Sequence, residues 1–177
     1  MEENRMSIRK EKTNKLTMMA VFTALVFVVT FLVRIPVPGT GGAYLNFGDV
    51  VIYIAAFTIG GPYAAVAAAL GSMLTDVVAG AAVYALPTLI IKGAMALVFG
   101  MIVKKRSFAR YALASAVCGG VMACGYGLYE YAMFGAEYML AALPFNLIQW
   151  AGAAAAACAF YPAARRIQKY ARSKGGS

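Results

Sequence analysis

The chain has 177 residues, of which 62% are hydrophobic and 13% charged, with a formal net charge of +9. Soluble domains are nearer about 45–50% apolar and about 25% charged, so these totals exclude an ordinary soluble enzyme. Six apolar runs of ~20 residues would occupy ~120 positions and leave only short loops and two tails.

Residues 1–15 are polar and basic and read as a cytoplasmic tail. The first apolar run, Leu16 to Val33, is too long for a signal-peptide core. It is followed by Arg34-Ile35-Pro36 rather than a small-residue cleavage pattern, so it reads as a retained first helix. Pro36, Pro38, Gly39, Gly41 and Gly42 then break the chain into an irregular loop. At roughly 10–14 residues it is longer than a helix–helix turn needs, and loops of that length are often lids. A short second helix runs from near Phe47 to Ile59. Gly60-Gly61-Pro62 makes a turn, with proline placed for the start of a third helix. That helix, to Val78 or Ala79, is rich in alanine and glycine and suits close backbone approach. A loop is expected over Gly80–Pro87, a fourth helix over Thr88–Val103 and a fifth over Tyr111–Tyr131. After a turn near Phe134–Glu137, a sixth covers Met139–Ala164, and residues 165–177 form a basic tail.

The expected fold is therefore an all-α integral membrane protein: residues 16–164 fold as six transmembrane helices in a compact bundle, with both termini cytoplasmic. Charge placement supports the count. Every basic residue except Arg34 and Lys92 falls in one of three clusters: 5–15, 104–110 and 165–174. Six spans put all three on one side, as the positive-inside rule requires; five or seven would split them. The clusters flank apolar runs, so the positive charge needs no nucleic acid to explain it. The three cysteines, Cys118, Cys124 and Cys158, lie inside apolar runs without CxxC spacing, and there is no histidine. Disulfide frameworks, zinc sites and the usual enzymatic constellations are not indicated.

A charge at the centre of a membrane helix costs at least ~2.5–3.5 kcal/mol, so such residues face a bundle interior or a wet cavity. With the topology above, Asp49, Asp76, Lys92, Glu130, Asn146 and Gln149 share one layer near the outer ends of their helices, with Trp150 beside them. The cytoplasmic halves hold almost no polar side chains. This describes a cup open to the outside with a plugged base, which captures a solute without passing it through. Asn46, Asn146 and Gln149 offer directional hydrogen bonds, and Tyr44, Tyr53, Tyr84, Tyr126, Tyr129 and Trp150 offer aromatic walls. That mixture suits a small polar solute with a flat ring. Structural roles compete at several positions: Asp76 and Lys92 are candidates to pair with each other, and Asp49 suits a helix start. Tyr44, Tyr111 and Tyr138 fit an interfacial aromatic belt.

LNFGD at Leu45–Asp49, Gly61-Pro62, GSMLTD at Gly71–Asp76 and TLIIKG at Thr88–Gly93 resemble the S components of energy-coupling factor (ECF) transporters. The branch they resemble is the riboflavin-type one, which also contains pyridoxine- and hydroxymethylpyrimidine-linked members. The resemblance is densest over residues 16–100. It implies a six-helix substrate-binding membrane subunit that takes a vitamin at an outer site, gated by the loop between helices 1 and 2 (Pro36, Pro38, Gly39, Gly41, Gly42). It also implies an AxxxA docking face, matched by Ala20 and Ala24, for a transmembrane coupling protein. Two cytoplasmic ATPases would complete the importer and use ATP, and the S component would topple to deliver its cargo. This chain has no GxxxxGK[ST] loop and so no ATP site of its own; no cofactor is expected in it. Asn46, Asp76 and Lys92 fall in the matched motifs; Tyr84, Glu130, Asn146, Gln149 and Trp150 are substrate-binding candidates from depth and chemistry. The resemblance leaves the ligand open among a B6-like pyridine, a thiamin-type pyrimidine and riboflavin. The alternative reading is a stand-alone proton-coupled secondary transporter using Asp76, Lys92 and Glu130.

Overall fold

A computed structural model describes residues 2–40, 43–104 and 106–175. Helix α1 (Glu2–Leu32) leads into a small antiparallel hairpin, β1 (Arg34–Pro36) and β2 (Tyr44–Asn46), in register Arg34–Asn46, Ile35–Leu45 and Pro36–Tyr44. Helices α2 (Gly48–Ile59), α3 (Gly61–Val78), α4 (Ala82–Ile102), α5 (Phe108–Phe134), α6 (Ala136–Ala159) and α7 (Tyr161–Gly175) follow. Five helices are long and apolar enough to cross a membrane, and α2 is a shorter apolar helix. At 1.5 Å per residue α2 is only ~18 Å long, and the hairpin fills the depth it leaves on the outer side.

Small residues set the packing. A β-carbon at Gly71 on α3 would come within 2.6 Å of the Thr23 carbonyl on α1, and one at Gly100 on α4 within 2.7 Å of the Gly61 Cα. Thr75 bonds back to the Gly71 carbonyl at 3.0 Å and across to Phe27 on α1 at 3.3 Å. Gly60, at φ 92°, makes the tight reversal between α2 and α3, and Pro62 sits in the first turn of α3.

Helices α5 and α6 begin three residues earlier than expected, and three larger differences stand out. Helix α1 extends through most of the basic segment, since charged, unbranched residues continue a helix into water without cost. Helix α4 begins at Ala82, so most of the expected Gly80–Pro87 loop is helical and Pro87 lies within α4. A helix-interior proline frees the carbonyl four residues back. Here that carbonyl belongs to Val83, and the Tyr129 hydroxyl of α5 donates to it. The expected sixth helix is two: α6 ends at Ala159 and α7 starts at Tyr161, because Pro162 has no N–H to return to the Cys158 carbonyl and instead sits in the first turn of the new helix.

Beneath the outer half, α2, α4, α5 and α7 close on an aromatic core. Tyr53 stacks on Phe99 at 5.3 Å, Tyr111 meets Phe57 edge-on at 5.1 Å, and Tyr161 meets Tyr111 at 5.1 Å. Tyr53, Phe57, Phe99 and Tyr111 are fully buried. Tyr111 is thus a core residue rather than part of an interfacial belt. Arg106 closes the inner end of α2 by donating to the Phe57 carbonyl at 2.7 Å, a cation at a helix C-terminus.

Candidate functional site

The outer ends of α1, α3, α4, α5 and α6 surround one polar cavity of about 30 Å³ beneath strand β2. Helical periodicity places its walls: Tyr84, Thr88 and Lys92 lie four apart on one face of α4, as do Ser72 and Asp76 on α3 and Tyr126 and Glu130 on α5. Asn146 and Gln149, three apart on α6, close the far side.

Three hydrogen-bonded groups organise these walls. The first is an ion pair between Lys92 Nζ and Asp49 Oδ1, with both side chains almost fully buried. Gln149 donates to the second Asp49 oxygen at 2.8 Å, and its own carbonyl accepts from the Asn46 backbone N–H at 3.1 Å. Strand β2, α2, α4 and α6 are thereby tied through one carboxylate. The Lys92 ammonium also lies 5.4 Å from the Tyr126 ring centre, within cation–π range. The second group centres on Glu130, which accepts from Asn146 at 3.0 Å and from the Tyr84 hydroxyl at 3.4 Å; Tyr84 also meets Tyr138 at 2.8 Å. In the third, the Tyr44 phenol of β2 donates to Asp76 Oδ1, while Arg34 stacks over the Tyr44 ring at 5.6 Å. Burial and the nearby Asp76 carboxyl push the Tyr44 phenol up from its ordinary pKa, so it remains a hydrogen-bond donor at neutral pH.

Seven of the eight binding candidates, all but Trp150, line this cavity. The Trp150 ring instead fills the α5–α6 interface, where a β-carbon on Gly119 would come within 1.9 Å of it, and its N–H donates to the Ala116 carbonyl at 2.7 Å. The expected Asp76–Lys92 pairing is not formed: Lys92 reaches Asp49, and Asp76 is held by Tyr44. Tyr44 is a cavity wall, not a belt residue, and Tyr138 is bonded within the Glu130 group.

A model of the ECF-type riboflavin transporter S component family matches residues 10–165. The chain belongs to this family. The family is one of membrane transporter subunits, and this chain's five long apolar helices fit a multi-pass cell-membrane protein. Its fold is that of a solved S component of a bacterial ECF transporter, with a TM-score of 0.72 at 22% identity, covering 90% of this chain and 98% of the other. Among curated relatives, the thiamine precursor transporter HmpT of Lactococcus lactis is 39% identical over 87 residues, covering 49% of this chain and 52% of that protein. An uncharacterised protein of Pyrococcus woesei is 44% identical over 79 residues, covering 45% and 52% respectively. The chain spans about half the length of the curated relatives it matches.

In this S component, Ala20 and Ala24 lie exposed on α1, on the side turned away from buried Phe22 and Val26. Pro36, Pro38 and Gly39 belong to the hairpin and its turn, with Gly39 at φ 76°; Gly41 and Gly42 lie outside the described residues. Tyr44 and Tyr126 line the cavity as the aromatic walls the sequence suggests, whereas Thr30 and Ser72 also line it without having been singled out by sequence. Hydroxyls in apolar helices commonly bond their own backbone, so Thr30 and Ser72 give no signal of a site in the sequence.

Proposed function

We propose that this chain is the substrate-capture subunit of an ECF-type importer. It binds a water-soluble vitamin or precursor at the outward-facing cavity. It then delivers the solute by toppling in complex with a transmembrane coupling protein and two cytoplasmic ATPases, which use the ATP. The observation that carries this reading is a polar cavity beneath a hairpin, over a base closed by Tyr53, Phe57, Phe99 and Tyr111. Among the described residues this base is packed with aromatic rings and carries no buried charge, which favours delivery by movement of the whole subunit. A proton-coupled carrier would need ionisable groups near the midplane that serve both sides in turn.

Asn46, Asp76, Tyr84, Lys92, Glu130, Asn146 and Gln149 form the binding surface, and Ala20 and Ala24 form the docking face. The residues around Pro36–Gly42 act as the gate: the cavity is too narrow for a heterocyclic ring until the hairpin lifts. Thiamin-type pyrimidines lead the substrate classes, supported by the precursor-transporter name of the Lactococcus relative; B6-like pyridines and riboflavin follow. Mass spectrometry of what co-purifies with the chain in mild detergent tests this directly. A stoichiometric small heterocycle is expected. Its absence, together with no binding of added aminopyrimidine, pyridoxine or riboflavin, would contradict the reading.

A further inference from the structure

Three buried side-chain oxygens on one side of the cavity have no hydrogen-bond partner: Thr30 Oγ1 on α1, and Ser72 Oγ and Asp76 Oδ2 on α3. Each of these residues is only 2% exposed. An unpaired polar group at such depth is costly, and membrane surroundings offer no water to relieve it. The Thr88 hydroxyl, which meets Tyr126 at 2.9 Å, also acts on Asp76, whose carboxylate still has acceptor capacity for a ligand. Elsewhere around the cavity Asp49 has both oxygens filled, and Glu130 accepts from Asn146 and Tyr84. The unfilled capacity is concentrated at one pole.

Its chemistry is specific. Asp76 Oδ2 accepts a hydrogen bond. The Ser72 hydroxyl, one helical turn away on the same face, can donate one. Lys92, the basic residue of the wall, is already engaged by Asp49, while Asp76 and Glu130 have no cationic partner among the described residues. Arg34 lies against the Tyr44 ring and borders a separate shallow depression with Ala79, Gly80 and Ala81. With the Lys92 charge balanced by Asp49, a phosphate or carboxylate would face the Asp76 and Glu130 carboxyl groups without an unbalanced cation in the cavity wall.

We infer that Ser72 and Asp76 form a specificity subsite for a heteroaromatic ring bearing an amino group beside a ring nitrogen, with Thr30 closing its rim. The amino group donates to Asp76 Oδ2, and the ring nitrogen accepts from the Ser72 hydroxyl. This rests on the capture reading above and goes further: it selects aminopyrimidines over pyridoxine and riboflavin, which lack that edge, and over phosphorylated forms of any of them.

Binding to the purified full chain, cleared of co-purified ligand, is measured by calorimetry with hydroxymethyl-aminopyrimidine and with its analogue in which hydrogen replaces the amino group. Sites built around a hydrogen bond reject analogues that lack it, so the amino compound should bind at least about tenfold more tightly. Asp76→Asn should bring that ratio close to one. Ser72→Ala removes a single oxygen, keeps the variant foldable, and should lower the ratio several-fold; a single symmetric peak on size exclusion checks both variants. Binding with a ratio near one in the wild type, or with a ratio unchanged in both variants, overturns the subsite and leaves the capture reading standing. Failure of the folded protein to bind aminopyrimidine, pyridoxine or riboflavin overturns both.

Discussion

At the scale of single residues, Lys92 and Asp49 are the most consequential pair. Both are almost fully buried, each is the other's counter-charge, and Gln149 completes the shell of Asp49. Removing one member of a buried pair typically costs about 3–5 kcal/mol, because the other charge is stranded. Lys92→Met should therefore lower the unfolding temperature in detergent sharply, and adding Asp49→Asn should restore most of the loss. A double variant as unstable as the single one would show that Lys92 contributes through packing rather than charge. This pairing was only half legible in the sequence. The membrane cost of a charge marked Asp49, Asp76 and Lys92 as residues needing partners. Which carboxylate Lys92 reaches depends on the rotation of α2 and α3, and depth alone does not specify that. The same limit applies to Trp150: sequence placed it at the right level on α6, but its side chain points to α5 rather than to the cavity.

At the scale of elements, the number and order of the six apolar helices were readable because apolar runs and Gly/Pro punctuation agree. The gap between α2 and α3 at Gly60 is the clearest case. Pro87 misled, because proline normally ends a helix; here α5 supplies a hydroxyl to the carbonyl that proline leaves free. That compensation predicts a coupling. Tyr129→Phe should destabilise by about 1 kcal/mol in the native background and by less beside Pro87→Ala, where the helix can make its own bond. Thermal unfolding of the two singles and the double measures it, and equal losses in both backgrounds would remove the compensation argument. The contact of α1 with α3 gives a second test. Gly71→Val inserts carbon into a space already closed by Thr23 and Val26, and overpacking of this kind costs about 1–3 kcal/mol. A neutral effect would mean that the two helices are free to separate.

At the scale of the whole molecule, the polar outer half and the aromatic inner half divide two tasks that a self-sufficient transporter must combine. In the proposed function the outer half binds and the inner half blocks. Positive-inside charge and the single outer layer of polar residues made this division visible in the sequence. The narrowness of the cavity was not visible, since it depends on where the hairpin places Tyr44. If α1 presents the docking face, Ala20→Leu and Ala24→Leu should reduce uptake several-fold in cells carrying the full importer while leaving ligand affinity of the purified chain unchanged. Loss of affinity as well would place those alanines in the bundle's own packing. The central claim, capture without translocation, is tested most directly in liposomes. The purified chain alone, supplied with a ligand it binds and with an imposed proton gradient, should bind but accumulate nothing. Uptake should begin only when the coupling protein, the two ATPases and ATP are added. Gradient-driven accumulation by the chain alone would contradict the account.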